Sequence, residues 1–451
     1  MNLLRSIATV AAAALLAGCA SFSDDGGFGA VSELTRERSG HAPAWQRGPD
    51  PSAAVRARVA ELLNAPLDAD TAAEVALLNH RGLQARFAEL GIAEAELVRA
   101  GRLRNPGFSF SRMRGAFALK EIERSLMFDV LGLLTLPSAR AVGERQFEQA
   151  QLQAAADAVG AATEARLAFF GAVAAAELLR YHEQVKEAAD ASSELARRMQ
   201  QAGNFSTLAQ LREQSFQADA TAQLARANQE AVAGRERLAR ALGLAQTTFR
   251  LPERLPELPA QPPEPRGLEQ AVIDRRLDVL MARRAAEATA RNLGLTKATR
   301  MVNVLELGYR NKSTSFDPRE NGWEIELELP LFDFGGTRVA RAESLYLQAL
   351  HQVADTALNA RSEVREADAA RRGAYALARH YRDEVVPLKK RISEENLLRY
   401  NGMLISVFEL LADAREQVHG VSGYVHALRD FWIAETQLQA ALAGRSPGAA
   451  P

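Results

Sequence analysis

The chain has 451 residues, of which 47% are hydrophobic and 25% charged. This composition supplies a large buried core and argues against disorder away from the ends. Lys and Arg number 55 against 56 Asp and Glu, so the formal net charge is -1. Because no basic field is present to attract phosphates, the composition argues against nucleic-acid binding.

The first residues are typical of a bacterial export signal. Arg5 precedes an apolar stretch, residues 7–16, which is too short to span a bilayer as a helix. The stretch ends at Gly18 and Cys19 in a pattern that resembles a lipoprotein cleavage site, and Cys19 is the only cysteine in the chain. We expect a signal peptide over 1–18 and a lipid on Cys19; the alternative is a chance cysteine.

The residue after the cysteine is Ala20. In lipoproteins of this type an acidic residue there commonly retains the protein at the inner membrane, so the resemblance implies sorting to the outer membrane. Residues 19–54 are rich in Gly, Ser, Asp and Pro, and we interpret them as a lipid-anchored tether.

The mature sequence contains one order of elements twice: a helix, a strand pair, a very long helix, a glycine turn and a shorter helix. Four landmark pairs recur at offsets of 195, 193, 199 and 201, namely Ala76 and Ala271, Pro137 and Pro330, Gly203 and Gly402, Gly243 and Gly444. Such a nearly constant period indicates internal duplication. We place the repeats at 55–250 and 267–444, with a tail at 445–451.

Between the repeats lies a segment, 251–266, that carries six prolines. Since proline lacks an N–H donor and fixes φ, no helix persists there, and the segment is predicted to be the crossover. The repeats open with predicted helices over 72–103 and 268–298.

Strands follow each opening helix. In the second repeat apolar residues alternate with acids, with Trp323, Ile325, Leu327, Leu329 and Leu331 against Glu324, Glu326 and Glu328. We predict strand pairs at 301–311 and 323–331, with a polar loop over 310–322, and at 105–113 and 127–136 in the first repeat. A soluble sheet with one solvated face would show the same alternation.

Four strands are too few for a transmembrane barrel, which needs about eight because every edge must be closed in lipid. Three chains would supply about twelve. Helical periodicity also runs over 138–201 and 335–400, interrupted only at Pro387, so each helix would be about 100 Å long. The predicted fold class is mainly α, with a long coiled-coil barrel and a small β part completed by trimerisation.

Two motifs carry a family resemblance. Residues 329–338, LPLFDFGGTR, closely resemble the strand-to-helix junction of TolC-like outer membrane efflux proteins, with the strand ending at Pro330 and Gly335 and Gly336 starting the helix. Residues 399–411 resemble the family's periplasmic turn, and 202–206 form the related turn. The first junction keeps Pro137 but lacks the glycine pair.

The resemblance implies a trimeric exit duct of a tripartite efflux pump, fed by an inner membrane transporter through a periplasmic adaptor. It implies that Glu324, Glu326 and Glu328 face the lumen and that Glu409 and Asp413 are gate candidates, although a solvated helix face explains both gate acids equally simply. The expected adaptor docking surface is the pair of tips, comprising Gly203, Asn204, Phe205, Ser206, Gly402, Met403, Leu404 and Ser406.

The sequence offers no phosphate loop, GxSxG elbow or HExxH pattern, so we expect neither an enzyme nor a cofactor. His419 and His426 with Glu416 could share a helix face, but packed or solvated side chains explain them better than a metal site. The alternative from another class is a lipid-anchored periplasmic coiled-coil scaffold without pore activity. Seven Met and one Cys give no soft-metal relay, and the substrate is not encoded.

Overall fold

The computed structural model describes residues 21–114, 120–261, 274–315 and 319–444. The predicted signal peptide, Cys19, the tail 445–451 and the first residues of the second repeat lie outside this part of the chain. Two compact units are formed. The first draws on the described residues within Met1–Val31, Arg86–Ala154 and Asp278–Leu358, and the second on those within Ser32–Ala85, Ala155–Leu277 and Asn359–Pro451. Each unit therefore takes segments from both sequence repeats.

The elements before the second repeat include two strands, β1 (Gly107–Arg114) and β2 (Lys120–Asp129). Helices of the same stretch are α1 (Phe28–Ser39), α2 (Ala53–Asn64), α3 (Ala69–Asn79), α4 (Arg81–Ala100), α5 (Val130–Gln201) and α6 (Thr207–Ala241). At 72 residues, α5 is the very long helix that the periodicity predicts.

The second repeat contributes β3 (Leu305–Thr314) and β4 (Glu320–Leu327). Its helices are α7 (Leu277–Ala298), α8 (Gly336–His380), α9 (Val386–Asn401) and α10 (Val407–Ala443), with a π-helical turn at Tyr381–Val385 between α8 and α9. The π turn falls just before Pro387, whose missing N–H disturbs the i→i−4 ladder there.

The first unit contains a four-stranded antiparallel sheet in the order β1-β2-β3-β4. Gly107 is opposite Met127, Leu126 opposite Tyr309, and the β3–β4 pair places Tyr309 opposite Trp323. Strands β1 and β3 end, and β2 and β4 begin, at one end of the sheet, which we call the turn end; there the Lys120 N–H donates to Ser315 Oγ at 2.9 Å. The helices join the sheet at the other end.

The predicted strand at 127–136 is wrong. The strand occupies Lys120–Asp129 and α5 begins at Val130, so Pro137 lies inside a helix and does not end a strand. The signal that the sequence analysis missed is Asp129, whose carboxylate accepts from the Gly132 N–H at 2.7 Å as a helix N-cap does.

Two further boundaries differ from the predictions. The predicted loop 310–322 is largely strand, because β3 runs to Thr314 and β4 starts at Glu320. The predicted helix 72–103 breaks at His80, where Gly243 approaches so closely that a Cβ on Gly243 would lie 2.8 Å from His80 Cα.

The predicted tether contains α1, and this interpretation is wrong for residues 28–39. Phe28 packs edge-on against Phe87 with ring centroids 5.0 Å apart, and Val31 is fully buried. Within the second unit, the Arg38 guanidinium donates to the Arg275 carbonyl at 2.9 Å. These contacts hold the segment in place, because the apolar burial and hydrogen bonds offset part of the entropy lost when the helix is ordered.

The second unit holds the main hydrophobic core, which alanine-rich helix faces build around a few aromatic rings. Phe170 stacks on Trp432 at 5.5 Å and 14°, and Phe431 meets Tyr375 edge-on at 5.6 Å. Gly234 lets α6 approach α5, since a Cβ there would lie 3.3 Å from Ala172 Cα. Small side chains thus bring helix backbones together.

One helix of the described residues, α5, contains a window long and apolar enough to cross a membrane. Because 56% of that window is buried inside the protein, core packing accounts for its composition.

Candidate functional site

The sheet of the first unit has two chemically different faces. On one face the strands present mainly apolar side chains, most of them exposed. They are Phe108 (68% exposed), Phe110 (56%), Phe128 (49%), Leu307 (38%), Tyr309 (41%), Trp323 (77%), Ile325 (70%) and Leu327 (48%). A contiguous apolar surface of this kind marks contact with a membrane or another protein.

The opposite face is charged and strongly acidic. Its acids are Glu121, Glu123, Asp129, Glu306, Glu320, Glu324 and Glu326, and its bases are Arg310 and Lys312. Arg310 bridges Glu123 at 3.0 Å and Glu324 at 2.6 Å, and Lys312 pairs with Glu121 at 2.7 Å. These ion pairs link neighbouring strands, while the excess of acids leaves the face negative.

The structure places Glu324 and Glu326 together on this acidic face, as the alternation predicts. Glu328 lies just past the end of β4, where its carboxylate accepts from Asn303 Nδ2 at 3.2 Å. Whether the three acids face a lumen stays a prediction.

The strand-to-helix junction in the first unit rests on a glycine with positive φ. Gly335 has φ +76°, and a Cβ there would meet the Arg300 carbonyl oxygen at 2.3 Å. Asp333 caps α8 by accepting from the Gly336 N–H at 3.0 Å and from the Thr337 hydroxyl. These hydrogen bonds, the Thr337 hydroxyl foremost, lower the pKa of Asp333. Pro330 lies beyond β4 and not at its end.

The two tips are in the second unit, and both turns close by the same hydrogen bonds. Asn204 N–H donates to Met199 O at 2.9 Å, and Leu404 N–H donates to Arg399 O at 2.8 Å. The left-handed position is Gly203 in the first turn, at φ +77°, but Met403 in the second, at φ +60°. The turns therefore match at an offset of 200, and Gly402 is the counterpart of Ala202.

The tips differ in what they expose. Phe205 of the first turn folds inward and is only 7% exposed, against Ala196 and Ala209. In the second turn Met403 is 93% exposed and Leu404 is 78% exposed. A long apolar side chain in the left-handed region costs about 1 kcal/mol, so the second tip presents its apolar residues at an energetic cost.

Ser206 and Ser406 cap the helices that leave the tips. Ser206 Oγ accepts from the Ala209 N–H at 3.2 Å. Ser406 forms a capping box with Glu409, whose carboxylate accepts from the Ser406 N–H at 3.3 Å. Glu409 thus has a structural role at the helix end. The side chain of Asp413 lies outside the described part.

The two helical hairpins that end at the tips, α5 with α6 and α9 with α10, differ in packing. In the first, Ser192 donates to Glu213, which is 1% exposed, at 2.6 Å, and Gln217 donates to Asp190 at 2.7 Å. In the second, no residue of α9 is buried. Sequence reasoning did not identify this difference, because the burial of these side chains depends on contacts between helices that are far apart in sequence.

No group of three or more His, Cys, Asp or Glu side chains suited to a metal ion occurs among the described residues. His426 and His182 line a cavity of about 350 Å³. Burial lowers the pKa of both imidazoles; the charge of His426 lowers the pKa of His182 further, and the charge of Arg429 does the same for His426.

Comparison with known proteins gives a fold but no sequence family. No protein-family model matches the chain, and no curated protein matches it. Among solved structures, the Campylobacter jejuni CmeC outer membrane channel aligns with a TM-score of 0.73 at 15% identity, covering 93% of each chain. CusC aligns at 0.70 and 17% identity, covering 89% of this chain and 99% of that one.

The open state of the Neisseria gonorrhoeae MtrE outer membrane channel aligns at 0.69 and 15% identity, covering 91% of this chain and 97% of that one. At these identities the likeness establishes architecture. The chain has the fold of TolC-like outer membrane channels, and the predicted resemblance and fold class, mainly α with a small β part, are confirmed at that level.

Proposed function

We propose that this chain is the outer membrane channel subunit of a tripartite efflux pump, and that three copies form an exit duct. The observation that carries the proposal is the two-faced sheet. An exposed apolar face suits lipid, and an acidic face suits a water-filled lumen. Substrate would pass from an inner membrane transporter through a periplasmic adaptor into the duct.

The open edges of the sheet support trimerisation. Strands β1 and β4 each have one neighbour in the described sheet. In lipid an unpaired edge is not tolerated, because its N–H and C=O groups have no water to bond. Three copies of this four-stranded sheet close a barrel of about twelve strands, which is within the range of known barrels.

The tips are the proposed docking surface for the adaptor. The exposed Met403 and Leu404 supply apolar contact, while Gly203, Asn204, Ser206 and Gly402 shape the turns and Phe205 anchors the first turn from inside. Adaptor binding to a Met403→Ser, Leu404→Ser double variant, measured by co-purification, should be weakened about tenfold or more relative to a Leu358→Ser variant, which changes an exposed apolar residue of α8 outside the tips.

Glu409 and Asp413 are the proposed gate acids. The loosely packed second hairpin is the part that would move, since α9 buries none of its residues while α5 buries Ala189 and Ala196 at the matching positions. Amide hydrogen exchange should be about tenfold faster in α9 than in residues 186–201. Equal exchange in the two stretches would remove this support.

The proposed location is the outer membrane, with a lipid on Cys19 and the helices in the periplasm. Palmitate incorporation by the wild type, and none by a Cys19→Ala variant, would support the anchor.

A periplasmic scaffold of the same helices is the competing function. It leaves the apolar face of the sheet without an occupant, which disfavours it. Flotation of the purified Cys19→Ala variant with lipid vesicles separates the two, because this variant lacks the proposed lipid. A duct still inserts and resists carbonate extraction, whereas a scaffold stays in solution.

A further inference from the structure

Four basic side chains cluster at one end of the apolar face of the sheet. The register places Arg114 opposite Lys120, Arg112 opposite Ile122 and Arg124 opposite Phe110, so all four cations lie on the face that carries Trp323. We call Arg112, Arg114, Lys120 and Arg124 the basic cluster. It occupies the turn end of the sheet, away from the helices.

The basic cluster differs from the other cations of the sheet in its partners. All four residues are exposed, and none forms an ion pair with an acid among the described residues. Arg124 Nη1 donates to the neutral Asn311 Oδ1 at 3.1 Å. Arg310 and Lys312, on the opposite face at a similar level, are both paired with glutamates. The cluster's charge is therefore available to an external anion.

The surroundings of the basic cluster indicate where that anion lies. The adjoining row of the same face holds Phe108, Tyr309 and Trp323, with the two rings of Tyr309 and Trp323 edge-on at 5.6 Å. Aromatic rings at the border of an apolar band mark the depth at which hydrocarbon gives way to headgroups. Cations just beyond that border lie among lipid phosphates.

We propose that the basic cluster binds the phosphate groups of anionic lipid headgroups at the membrane surface next to the hairpin turns. This inference rests on the proposed function, because it requires the apolar face to lie in lipid. The bound lipid fixes the depth of the sheet, and charge complementarity selects phosphate-rich headgroups over net neutral ones.

Trp323 provides the test, because it lies beside the cluster. Purified protein is reconstituted in phosphatidylcholine vesicles that contain brominated phosphatidylglycerol, and in matched vesicles with brominated phosphatidylcholine. Bromine on the acyl chains quenches a neighbouring tryptophan, so the two curves give the relative affinity for the anionic lipid. A Trp323→Phe variant supplies the background from Trp45 and Trp432.

The test variant is Lys120→Gln with Arg124→Gln, and the matched control is Arg310→Gln with Lys312→Gln, which removes two charges from the opposite face. We expect wild type and control to prefer the anionic lipid, and the test variant to lose the preference by roughly thirtyfold, about fivefold per charge.

Insertion with equal quenching by both lipids would overturn the inference while leaving the channel proposal standing. Equal losses in the two double variants would also overturn it. Failure of the wild type to insert into either vesicle would instead contradict the proposed function.

Discussion

A charge placed on either face of β4 distinguishes a membrane-spanning sheet from a soluble one. Ile325 is 70% exposed and lies opposite Leu307 in the middle of the apolar rows. Arginine on a barrel's lipid face costs about 2–4 kcal/mol at the bilayer midplane and about 0–1 kcal/mol near the interface, and Ile325 lies one row inside the aromatic border formed by Tyr309 and Trp323. An Ile325→Arg variant should therefore lose about 1–3 kcal/mol of folding stability in vesicles.

The matched control is Glu326→Arg, the next residue along the strand but on the acidic face. There an arginine faces Glu306, and we expect a change below about 1 kcal/mol. Stability is measured by urea titration in phosphatidylcholine vesicles, followed by tryptophan fluorescence and by gel mobility of the unheated sample. In a soluble sheet an exposed Ile325→Arg change would stay within about 0.5 kcal/mol, and that result would refute the assignment of faces.

Three further outcomes follow from local structure. Met403→Gly should stabilise the second tip by about 1 kcal/mol, and Gly203→Ala should destabilise the first by a similar amount, both measured by thermal unfolding. Arg276 is 1% exposed and pairs with Glu363 at 2.7 Å, so Arg276→Ala should cost about 3 kcal/mol in chemical denaturation. Burial lowers the pKa of His182, so stability should fall as pH drops below about 6.5, where only the unfolded chain gains this proton.

Each of these three predictions has a result that would contradict it. A destabilising Met403→Gly change would show that the left-handed residue is not strained. Adding Glu363→Gln to the Arg276→Ala variant removes the unpaired carboxylate and should restore part of the loss, and no recovery would assign the cost to the cavity that alanine leaves. A His182→Phe variant with the same acid-side loss of melting temperature would attribute that loss to other groups.

The fold could be predicted from sequence as far as periodicity reaches. The alternation from Trp323 to Leu327 predicted the face to which each residue of β4 belongs, and the long 3.6-residue pattern predicted α5 and α8. Element ends were less predictable, because they depend on single side chains. Asp129 capping α5 displaced a predicted strand by seven residues, and a short apolar run such as 130–136 fits helix and strand alike.

The tips show a different limit. The sequence analysis matched Gly203 with Gly402 as turn landmarks, and Gly203 is indeed the left-handed residue of its turn. In the second turn the hydrogen bonds place Met403 there, although Gly402 is its neighbour. Which residue of a turn takes the left-handed conformation depends on which helix carbonyls still need a hydrogen-bond donor, and composition does not show this. The burial of Glu213 could not be predicted from the sequence either, because its hydrogen-bond partner Ser192 is on another helix.

If the proposed function is right, three copies of this chain enclose a conducting pore. Single-channel recording in planar bilayers tests this most directly, with the mass of the same purified sample determined by light scattering. We expect a particle of about three times the 49.0 kDa chain and stepwise currents that favour cations, because the face proposed to line the pore is acidic. A monomer that never conducts would rule out the pore and favour the periplasmic scaffold.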